Sequence, residues 1–336
     1  MKVVELKNRT GIDSLVIGER PVPEPAPGEI QIRIEAATLN YRDLAIARGS
    51  YGSFALPIVP LSDACGEVSA LGEGVTRFAV GDRVCPLYVM DWISGPPEAE
   101  AVARRLGGPQ DGVLAQVVCV PARSAVRAPR HMSALEAATL PIAGVTAWQA
   151  LFVQGRVTPG DVVVVQGTGG VSMFALQLAR AAGATVIATS SSKDKAERAR
   201  ALGASEVINY REHRDWQHRV VELTGGRGAD HVIDVVGGEN LSRSVGAVRI
   251  GGTLSLIGFL DDTRGIIDLP EAFRRVVTLS CISVGSRAAF EALVAASEAC
   301  ELRPVVGRVF GFDEVHAAYE HLAAAAHFGK VAITFE

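Results

Sequence analysis

The sequence has few cysteines and no dense cluster of positive charge. Five cysteines are spread over 336 residues, and no two of them form a Cys-x-x-Cys pair. An odd number at wide spacing argues against a disulfide framework and against a four-cysteine zinc site. The chain has no run of five Lys or Arg residues and a formal net charge of −4. Its composition therefore does not favour nucleic acid as a partner.

Long apolar runs are also missing. The uninterrupted apolar stretches reach only the length of a strand, whereas a membrane helix needs about 20 apolar residues. The first ten residues, MKVVELKNRT, mix charged and apolar side chains and lack the pattern of a secretory signal. Because hydrophobic residues still make up 48% of the chain, we expect a soluble, cytoplasmic protein with a large core and no membrane partner.

The pattern of strands and helices changes near residue 125. Before this point, short β-like runs such as EIQIRIEAATLN are interrupted by Gly and Pro, which favours a β-rich barrel or sandwich. After it, six Val- and Ile-rich runs alternate with helical patterns, beginning with VVVVQG at 162–167 and TVIATS at 185–190. This alternation predicts an α/β domain with a doubly wound parallel sheet of six strands, the Rossmann fold of dinucleotide-binding proteins.

A glycine-rich turn follows the first of these runs. Gly167 allows a tight turn, Gly169 allows the backbone to approach a pyrophosphate, and Ser172 is small enough for the packing position of the third glycine. The helix that starts here offers free N–H groups to an anion, and the strand–turn–helix context supports a dinucleotide site. The expected cofactor contacts in this turn are Gly167, Thr168, Gly169, Gly170 and Val171.

The end of the second run indicates which dinucleotide binds. NAD sites usually have an acidic side chain at this position, where it accepts hydrogen bonds from the ribose. Here the chain instead reads SSSKDK from position 190. Hydroxyl and ammonium groups suit a charged 2′-phosphate, so the sequence favours NADP(H) over NAD(H). The expected ligands are Ser190, Ser191, Ser192 and Lys195.

Several longer phrases resemble the medium-chain dehydrogenase/reductase superfamily. They are GEVSALGEGVTRFAVGDRV, DGVLAQVVCVP, LEAATLPIAGVTAWQAL, GDVVVVQGTGGVS and LGASEVINY. The resemblance covers essentially the whole chain. It implies a GroES-like catalytic domain at 1–125 that is completed by 291–336, a Rossmann domain at 126–290, and a cofactor bound between the two.

Zinc-dependent members of this superfamily place Cys, His and Cys around a catalytic metal. The matching positions in this chain are Asn40, Ser62 and approximately Ala143, none of which is a good zinc ligand. No histidine precedes His131. The chain therefore resembles the zinc-independent branch, which includes quinone oxidoreductases and enone or enoyl-thioester reductases, and we expect no bound metal.

The resemblance also suggests residues that act on the substrate. Tyr51 lies eight residues after Asp43, a spacing at which some reductases of this branch carry a tyrosine proton donor. A phenol can donate to a developing enolate, although an aromatic residue that only lines the site is the alternative. Asn40 can donate to a substrate carbonyl or contact the nicotinamide ribose, or else only stabilise the turn. We expect Asp43 to hold this loop, with Arg42 as a candidate partner.

Other residues match positions that contact the cofactor in relatives. Lys195 and Tyr210 are fifteen residues apart, as in quinone reductases that bind the 2′-phosphate with such a pair. Arg287 and Lys330 are candidate cationic contacts, and a helix-surface position is the alternative for Arg287. The remaining expected contacts are Tyr41 at the diphosphate, Thr146 at the nicotinamide, and Val236, Gly258, Phe259, Ser283 and Val284 at the carboxyl ends of the sheet strands.

These observations predict a zinc-independent, NADPH-dependent oxidoreductase. Its substrate is a small, electron-poor molecule, either a quinone or an α,β-unsaturated carbonyl compound, because without a Lewis acid the acceptor itself must be reactive. One alternative is an NADP-dependent alcohol dehydrogenase or ketone reductase without zinc. A second is an NADPH-binding protein with little turnover. The resemblance further implies a homodimer that pairs through the last strand of the Rossmann sheet, at 277–284.

Overall fold

The computed structural model describes residues 1–335, which form two compact units. The first contains Met1–Val145 and the chain from Gly285 onward, and the second contains Thr146–Val284. The predicted boundaries at 125/126 and 290/291 therefore differ from the observed ones. Residues 126–145 belong to the first unit because they bond to its strands: Thr38 Oγ1 donates to the Ala138 carbonyl (2.9 Å). Residues 285–290 belong to it because Arg287 N donates to Trp92 O (2.8 Å).

The first unit is rich in β-structure. Its N-terminal part contains strands β1 (Lys2–Leu6), β2 (Leu15–Glu19), β3 (Glu29–Leu39), β4 (Asp63–Leu71), β5 (Arg83–Pro86), β6 (Val117–Pro121) and β7 (Ala125–Arg127). Its helices are α1 (Tyr41–Ala47), α2 (Ala99–Ala103) and α3 (Ala134–Ala137), with 3₁₀ turns at Ile12–Ser14 and Ala122–Ser124 and a π-helical turn at Leu140–Gly144. These elements confirm the prediction that the chain before residue 125 is rich in β-strands.

The second unit alternates strands with helices. The short helix α4 (Val145–Trp148) comes first and is followed by a π-helical segment at Gln149–Gln154. The strands are β8 (Val162–Gln166), β9 (Thr185–Ser190), β10 (Glu206–Asn209), β11 (Ala229–Asp234), β12 (Val248–Leu256) and β13 (Thr278–Cys281). The helices are α5 (Gly170–Ala181), α6 (Lys193–Ala201), α7 (Trp216–Leu223), α8 (Asn240–Ala247) and α9 (Leu269–Arg275).

The six strands of the second unit form one parallel sheet. Their order is β10-β9-β8-β11-β12-β13, and every neighbouring pair is parallel. This is the doubly wound order of a full dinucleotide-binding sheet, and it confirms the predicted Rossmann architecture. The Val-rich β8 lies in the middle of the sheet, and Val164 and Val232 on adjacent strands are fully buried in the core of this unit.

The last part of the chain returns to the first unit. It contains α10 (Arg287–Ala299), β14 (Val306–Gly311), a 3₁₀ turn at Phe312–Glu314, α11 (Val315–Ala323) and β15 (Lys330–Thr334), which confirms the predicted amphipathic helix and terminal strand. The sheet order is β14-β15-β3-β4-β5-β7, and β6 also pairs with β3. No helix within residues 1–335 combines the length and apolar character needed to cross a membrane.

The register of this sheet fixes which residues meet at one of its ends. β3 runs antiparallel to both β4 and β15, with Thr38 opposite Asp63 and Leu39 opposite Val331. The end of β3 therefore lies beside the beginnings of β4 and β15. This arrangement places the residue after β3, which is Asn40, next to the first residues of the two neighbouring strands.

Candidate active site

Three polar side chains from distant parts of the chain meet at this end of the sheet. The Lys330 ammonium group donates to Asn40 Oδ1 (2.5 Å) and to the Leu39 carbonyl (2.7 Å), and it lies 3.5 Å from Asp63 Oδ2. Lys330 is 4% exposed and Asp63 is 0% exposed. Because an ammonium group has three hydrogens to donate, these three acceptors use its full capacity.

The buried carboxylate in this cluster is held by several donors. Ser62 Oγ donates to Asp63 Oδ1 (3.2 Å), and Ile142 N donates to Asp63 Oδ2 (3.3 Å). Burial raises the pKa of Asp63, while Lys330, the Asn40 amide and these donors oppose that rise. Burial likewise lowers the pKa of Lys330, and the carboxylate of Asp63 opposes this decrease. The pair is thus a buried charge pair whose members depend on each other for their ionised forms.

The first turn of α1 is anchored by Asp43. Asn40 is the N-cap of this helix, and its backbone N–H donates to Asp43 Oδ2 (2.8 Å). Asp43 Oδ1 accepts from the Arg42 guanidinium group (3.2 Å). Burial raises the pKa of Asp43 to about 6, although Arg42 opposes the rise. The prediction that Asp43 holds this loop in partnership with Arg42 is confirmed.

Tyr51 lies beside the same arginine. The Arg42 guanidinium carbon is 5.6 Å from the centroid of the Tyr51 ring and 4.8 Å from that of Tyr88. Tyr51 is partly buried against the core of the first unit, and its side chain is hydrogen-bonded to Tyr88. The candidate proton donor is therefore close to a fixed positive charge and to a second phenol.

The glycine-rich turn of the second unit has the features of a phosphate site. Gly167 has a φ of +70°, and a Cβ added there would meet no atom within 4 Å, so the space above it is open to a ligand. Gly169 is the N-cap of α5 and provides no side chain to cap the helix. The N–H groups at this helix start suit an anion. Ser172 is buried and donates to the Gln166 carbonyl (2.6 Å), which fits its expected packing role.

The end of β9 lies beside the turn that follows β10. Ser190 is buried at the end of β9, and Tyr210 N donates to its carbonyl oxygen (3.3 Å). Ser192 caps α6 by accepting from Lys195 N (3.4 Å). A cavity of about 380 Å³ opens here, and its wall includes Ser190, Ser192 and Lys193. Burial and nearby Arg198 lower the pKa of Lys195.

Other predicted cofactor contacts follow the carboxyl ends of β11, β12 and β13. Because the sheet is parallel, these ends share one edge with the glycine-rich turn. The residues concerned are Val236, Gly258, Phe259, Ser283 and Val284. The turns after β11 and β12 touch closely, since a Cβ added to Gly258 would lie 2.4 Å from the Val235 carbonyl oxygen.

A buried hydrogen-bond network supports this edge from inside the unit. Gln166 Nε2 donates to Ser244 Oγ (2.6 Å), which donates to Asp234 Oδ2 (2.6 Å). The other oxygen of Asp234 accepts from the backbone N–H groups of Val236 (2.8 Å) and Gly237 (2.9 Å). The network links the end of β8 to the turn after β11 and fixes the backbone at Val236.

Comparisons with known proteins agree with the two folds described above. The family described as Alcohol dehydrogenase GroES-like domain matches residues 26–130, and the family described as Zinc-binding dehydrogenase matches residues 170–299. A zinc-type alcohol dehydrogenase-like protein of Schizosaccharomyces pombe is 40% identical over 335 residues, which cover 97% of each chain. The chain belongs to the medium-chain dehydrogenase/reductase superfamily. It is an NAD(P)H-dependent oxidoreductase with a GroES-like domain and a Rossmann domain.

Two further comparisons extend over almost the whole chain. The 2-haloacrylate reductase of a Burkholderia species is 29% identical over 348 residues, covering 98% of this chain and 97% of that protein. A crystal structure from Sinorhizobium meliloti 1021 that carries an alcohol dehydrogenase name is 44% identical, with a TM-score of 0.92. It covers 99% of this chain and 98% of its own.

The residues at the zinc positions of this superfamily do not suit the metal. Asn40, Ser62 and Ala143 provide an amide, a hydroxyl and a methyl group, whereas catalytic zinc prefers thiolate, imidazole and carboxylate. The nearby carboxylate of Asp63 is already bonded to the ammonium group of Lys330. Among residues 1–335, no three Cys, His, Asp or Glu side chains are grouped so that they could hold a metal ion.

Two predicted cofactor contacts have their side-chain partners within the first unit. The Lys330 ammonium group is buried and bonded to three acceptors, so a contact from Lys330 to the cofactor stays a prediction. Arg287 is the first residue of α10 and belongs to the first unit. Its guanidinium donates to the Arg123 carbonyl (3.0 Å) and lies 3.4 Å from Glu291, which is the surface-helix alternative.

Two other predicted contacts lie at contrasting depths. Tyr41 is the first residue of α1 and is exposed. Thr146 is buried in α4, and its Oγ1 has no hydrogen-bond partner within residues 1–335. An unpartnered buried hydroxyl can accept or donate to a bound group, so Thr146 remains a prediction for the nicotinamide site.

Two features of the first unit have no local signal in the sequence. Lys330 and Asp63 are far apart in the chain, and only the register of β3, β4 and β15 brings them together. The second feature is Tyr88, which follows β5. No periodic pattern marks Tyr88, which in the sequence is only a single tyrosine after GDRVCPL.

Proposed function

We propose that this protein is a zinc-independent, NADPH-dependent reductase of α,β-unsaturated carbonyl compounds. The observation that carries the proposal is the side-chain chemistry around Asn40, where an amide and a buried ammonium–carboxylate pair stand in place of a zinc ligand set. Without a Lewis acid to polarise an ordinary ketone or alcohol, hydride transfer requires an acceptor that is already electron-poor. A C=C bond conjugated to a carbonyl group meets this requirement.

The protein side chains then have defined tasks. The chemistry that NADPH supplies when bound is a hydride, which forms a C–H bond at the β-carbon. The electron pair of the C=C bond moves towards the carbonyl oxygen and produces an enolate. The Tyr51 O–H bond then breaks, and its proton completes the product at the α-carbon. Thus one hydride and one proton are added across the double bond.

The relatives support this substrate class. The Burkholderia relative is named for the reduction of 2-haloacrylate, whose double bond is conjugated to a carboxyl group. The Schizosaccharomyces pombe relative and the Sinorhizobium meliloti structure carry alcohol dehydrogenase names, so alcohol oxidation is the second candidate. Quinones are a third class of electron-poor acceptor. The same assay separates all three.

We also propose NADPH as the preferred cofactor. Support comes from the hydroxyl groups at the end of β9, from Lys195 in the first turn of α6 and from Tyr210 in the turn after β10. The run from Thr189 to Ser192 contains no carboxylate, and a carboxylate there would repel a 2′-phosphate. A charged phosphate bound to an ammonium group gains a strong hydrogen bond.

We further propose a homodimer in which two copies pair along β13. This strand is one edge of the parallel sheet, and a bare edge readily pairs with another strand. Exposed apolar side chains occur on β13 itself and on the chain from β12 to β13, at Ile250, Ile266, Leu269, Phe273, Val276 and Leu279. A second copy that joins edge to edge would cover these groups.

The experiment is to measure NADPH oxidation with an enone, a quinone and a ketone, and NADP reduction with simple alcohols. Each reaction is run with and without a strong chelator. The proposal predicts chelator-insensitive turnover with the enone as the best acceptor. Tyr51→Phe should retain hydride transfer but slow protonation, and Tyr319→Phe serves as the control, at a buried tyrosine whose hydroxyl has no hydrogen-bond partner among the described residues. Chelator-sensitive oxidation of alcohols would contradict the proposal.

A further inference from the structure

Tyr88 is a buried phenol next to the candidate proton donor. It lies just after β5 and is 4% exposed, and its carbonyl oxygen accepts from Leu106 N (3.0 Å). The side chains of Tyr51 and Tyr88 are hydrogen-bonded. Since Tyr51 is only partly buried, Tyr51 is the member of the pair that a substrate can reach.

Arg42 provides a fixed positive charge behind both phenols. Its guanidinium donates to the carbonyls of Leu106 and Gly108, each at 3.2 Å, and to Asp43, also at 3.2 Å. It lies 4.8 Å from the Tyr88 ring centroid and 5.6 Å from the Tyr51 ring centroid. Both distances are within the range of a cation–π contact. The arginine is buried and held from three sides, so its charge keeps a constant position.

We propose that Tyr88 and Arg42 are positioning residues for proton transfer, which hold the Tyr51 hydroxyl and stabilise the charge that it acquires. The proposal rests on the reductase function proposed above. When the Tyr51 O–H bond breaks, its proton goes to the α-carbon of the enolate and its electron pair stays on the phenolate oxygen. Tyr88 donates its own O–H to that oxygen, and the guanidinium charge of Arg42 opposes the new negative charge. Water returns a proton to Tyr51 after product release.

The surrounding charges are consistent with this division of roles. Burial raises the pKa of Tyr88 to about 12, although Arg42 and Arg105 oppose the rise, so Tyr88 keeps its proton and acts only as a donor. Asp43 balances part of the charge of Arg42 at 3.2 Å. The second phenol is thus a hydrogen-bond donor that persists throughout the cycle, while Tyr51 alone gives up and regains a proton.

The test is a double-mutant cycle on kcat for enone reduction. A hydrogen bond to a charged group contributes enough for its loss to slow a reaction roughly 10- to 100-fold, so we expect Tyr88→Phe to lower kcat by this factor while KM changes little. The solvent deuterium isotope effect on kcat should rise, since proton transfer becomes slower. In the Tyr51→Phe background the Tyr88→Phe change should have no further effect, because the hydroxyl through which it acts is absent.

Tyr319→Phe is the matched control. Tyr319 is a fully buried tyrosine of the same unit, and its hydroxyl has no hydrogen-bond partner among the described residues. Its variant should retain kcat and the isotope effect. NADPH affinity, measured by fluorescence, should be the same in all variants.

Three outcomes distinguish a failure of the inference about Tyr88 from a failure of the proposed function. Wild-type kcat in Tyr88→Phe, or an equal loss in the presence and absence of the Tyr51 hydroxyl, overturns the inference and leaves the proposed function intact. Absence of enone turnover in the wild-type protein overturns both. A loss in Tyr88→Phe that is matched by a lower melting temperature and weaker NADPH binding assigns Tyr88 a structural role and also overturns the inference.

Discussion

Replacing Lys330 by Met tests whether Lys330 and Asp63 form an ion pair that is buried from solvent, as the structure shows. The change keeps a long unbranched side chain but removes the ammonium group. Asp63 is then left 0% exposed, with Ser62 Oγ, Ile142 N and the Asn40 amide as its remaining donors. The acceptors at Asn40 and Leu39 also lose their partner.

The expected cost follows from the burial of the remaining charge. Breaking a buried ion pair by removing one member destabilises a protein by about 3–5 kcal/mol, because the other charge stays buried without its partner. The matched control is Lys2→Met, since Lys2 pairs with Asp313 on the surface with half or more of each side chain exposed. Such surface pairs contribute about 0–1 kcal/mol.

The assay is urea unfolding of the wild type and the two variants, followed by circular dichroism. The free energy of unfolding should fall by about 3–5 kcal/mol in Lys330→Met and by no more than about 1 kcal/mol in Lys2→Met. Asp63→Asn combined with Lys330→Met should recover part of the loss, because no charge then stays buried. A loss below about 1 kcal/mol in Lys330→Met would refute the reasoning. It would mean that the ammonium group reaches outward to solvent.

The pH dependence of the Lys330→Met variant gives an independent check. Burial raises the pKa of Asp63, and Lys330 opposes that rise, so the variant has a higher folded-state pKa than the wild type. A folded state that binds a proton more tightly than the unfolded chain gains stability as the pH falls. The deficit of Lys330→Met should therefore shrink on acidification from neutral pH towards the unfolded-state pKa of about 4.

Three further predictions concern the second unit. Lys195→Ala should weaken NADPH binding about tenfold and leave NADH binding unchanged, as measured by fluorescence, whereas Lys7→Ala, at an exposed lysine of the first unit that pairs with Glu5, should change neither. Phe273→Glu, at a side chain of α9 that is 78% exposed, should convert a dimer to a monomer in light scattering; a wild-type monomer would contradict the dimer. Asp230 has a lowered pKa because Arg227 and other donors stabilise its carboxylate against burial. Asp230→Asn should therefore cost about 2 kcal/mol at neutral pH in urea unfolding, and this difference should vanish as the pH falls through the folded-state pKa of Asp230.

The Rossmann unit could be predicted from the sequence because its signals are local. Each buried strand of a parallel sheet is a short Val/Ile-rich run, and each helix between strands shows its own period. The run at 185–190 matches β9 at both ends. The glycine turn after β8 was identifiable because the residues that make the turn and start the helix are adjacent in the chain.

The first unit was harder because its site depends on contacts between distant residues. Lys330 lies 290 residues from Asn40 and 267 from Asp63, so no local pattern connects them. The compact units divide at 145/146 and not at 125/126, and the bond from Thr38 to Ala138, which ties residues after 125 to the first unit, spans 100 residues. The phrase FGKVAI suggested a cofactor contact for Lys330. The contacts that the structure shows for Lys330, to Leu39, Asn40 and Asp63, follow from the pairing of β15 with β3.

The most direct test of the central claim follows the hydride itself. Enzyme whose zinc content has been measured is incubated with NADPH deuterated at the transferred position and an enone, in the presence of a chelator. The product is analysed by NMR and mass spectrometry. The account predicts one deuterium at the β-carbon, one solvent-derived hydrogen at the α-carbon, and no dependence on zinc. Deuterium at the carbonyl carbon, or a reaction that stops when zinc is removed, would contradict it.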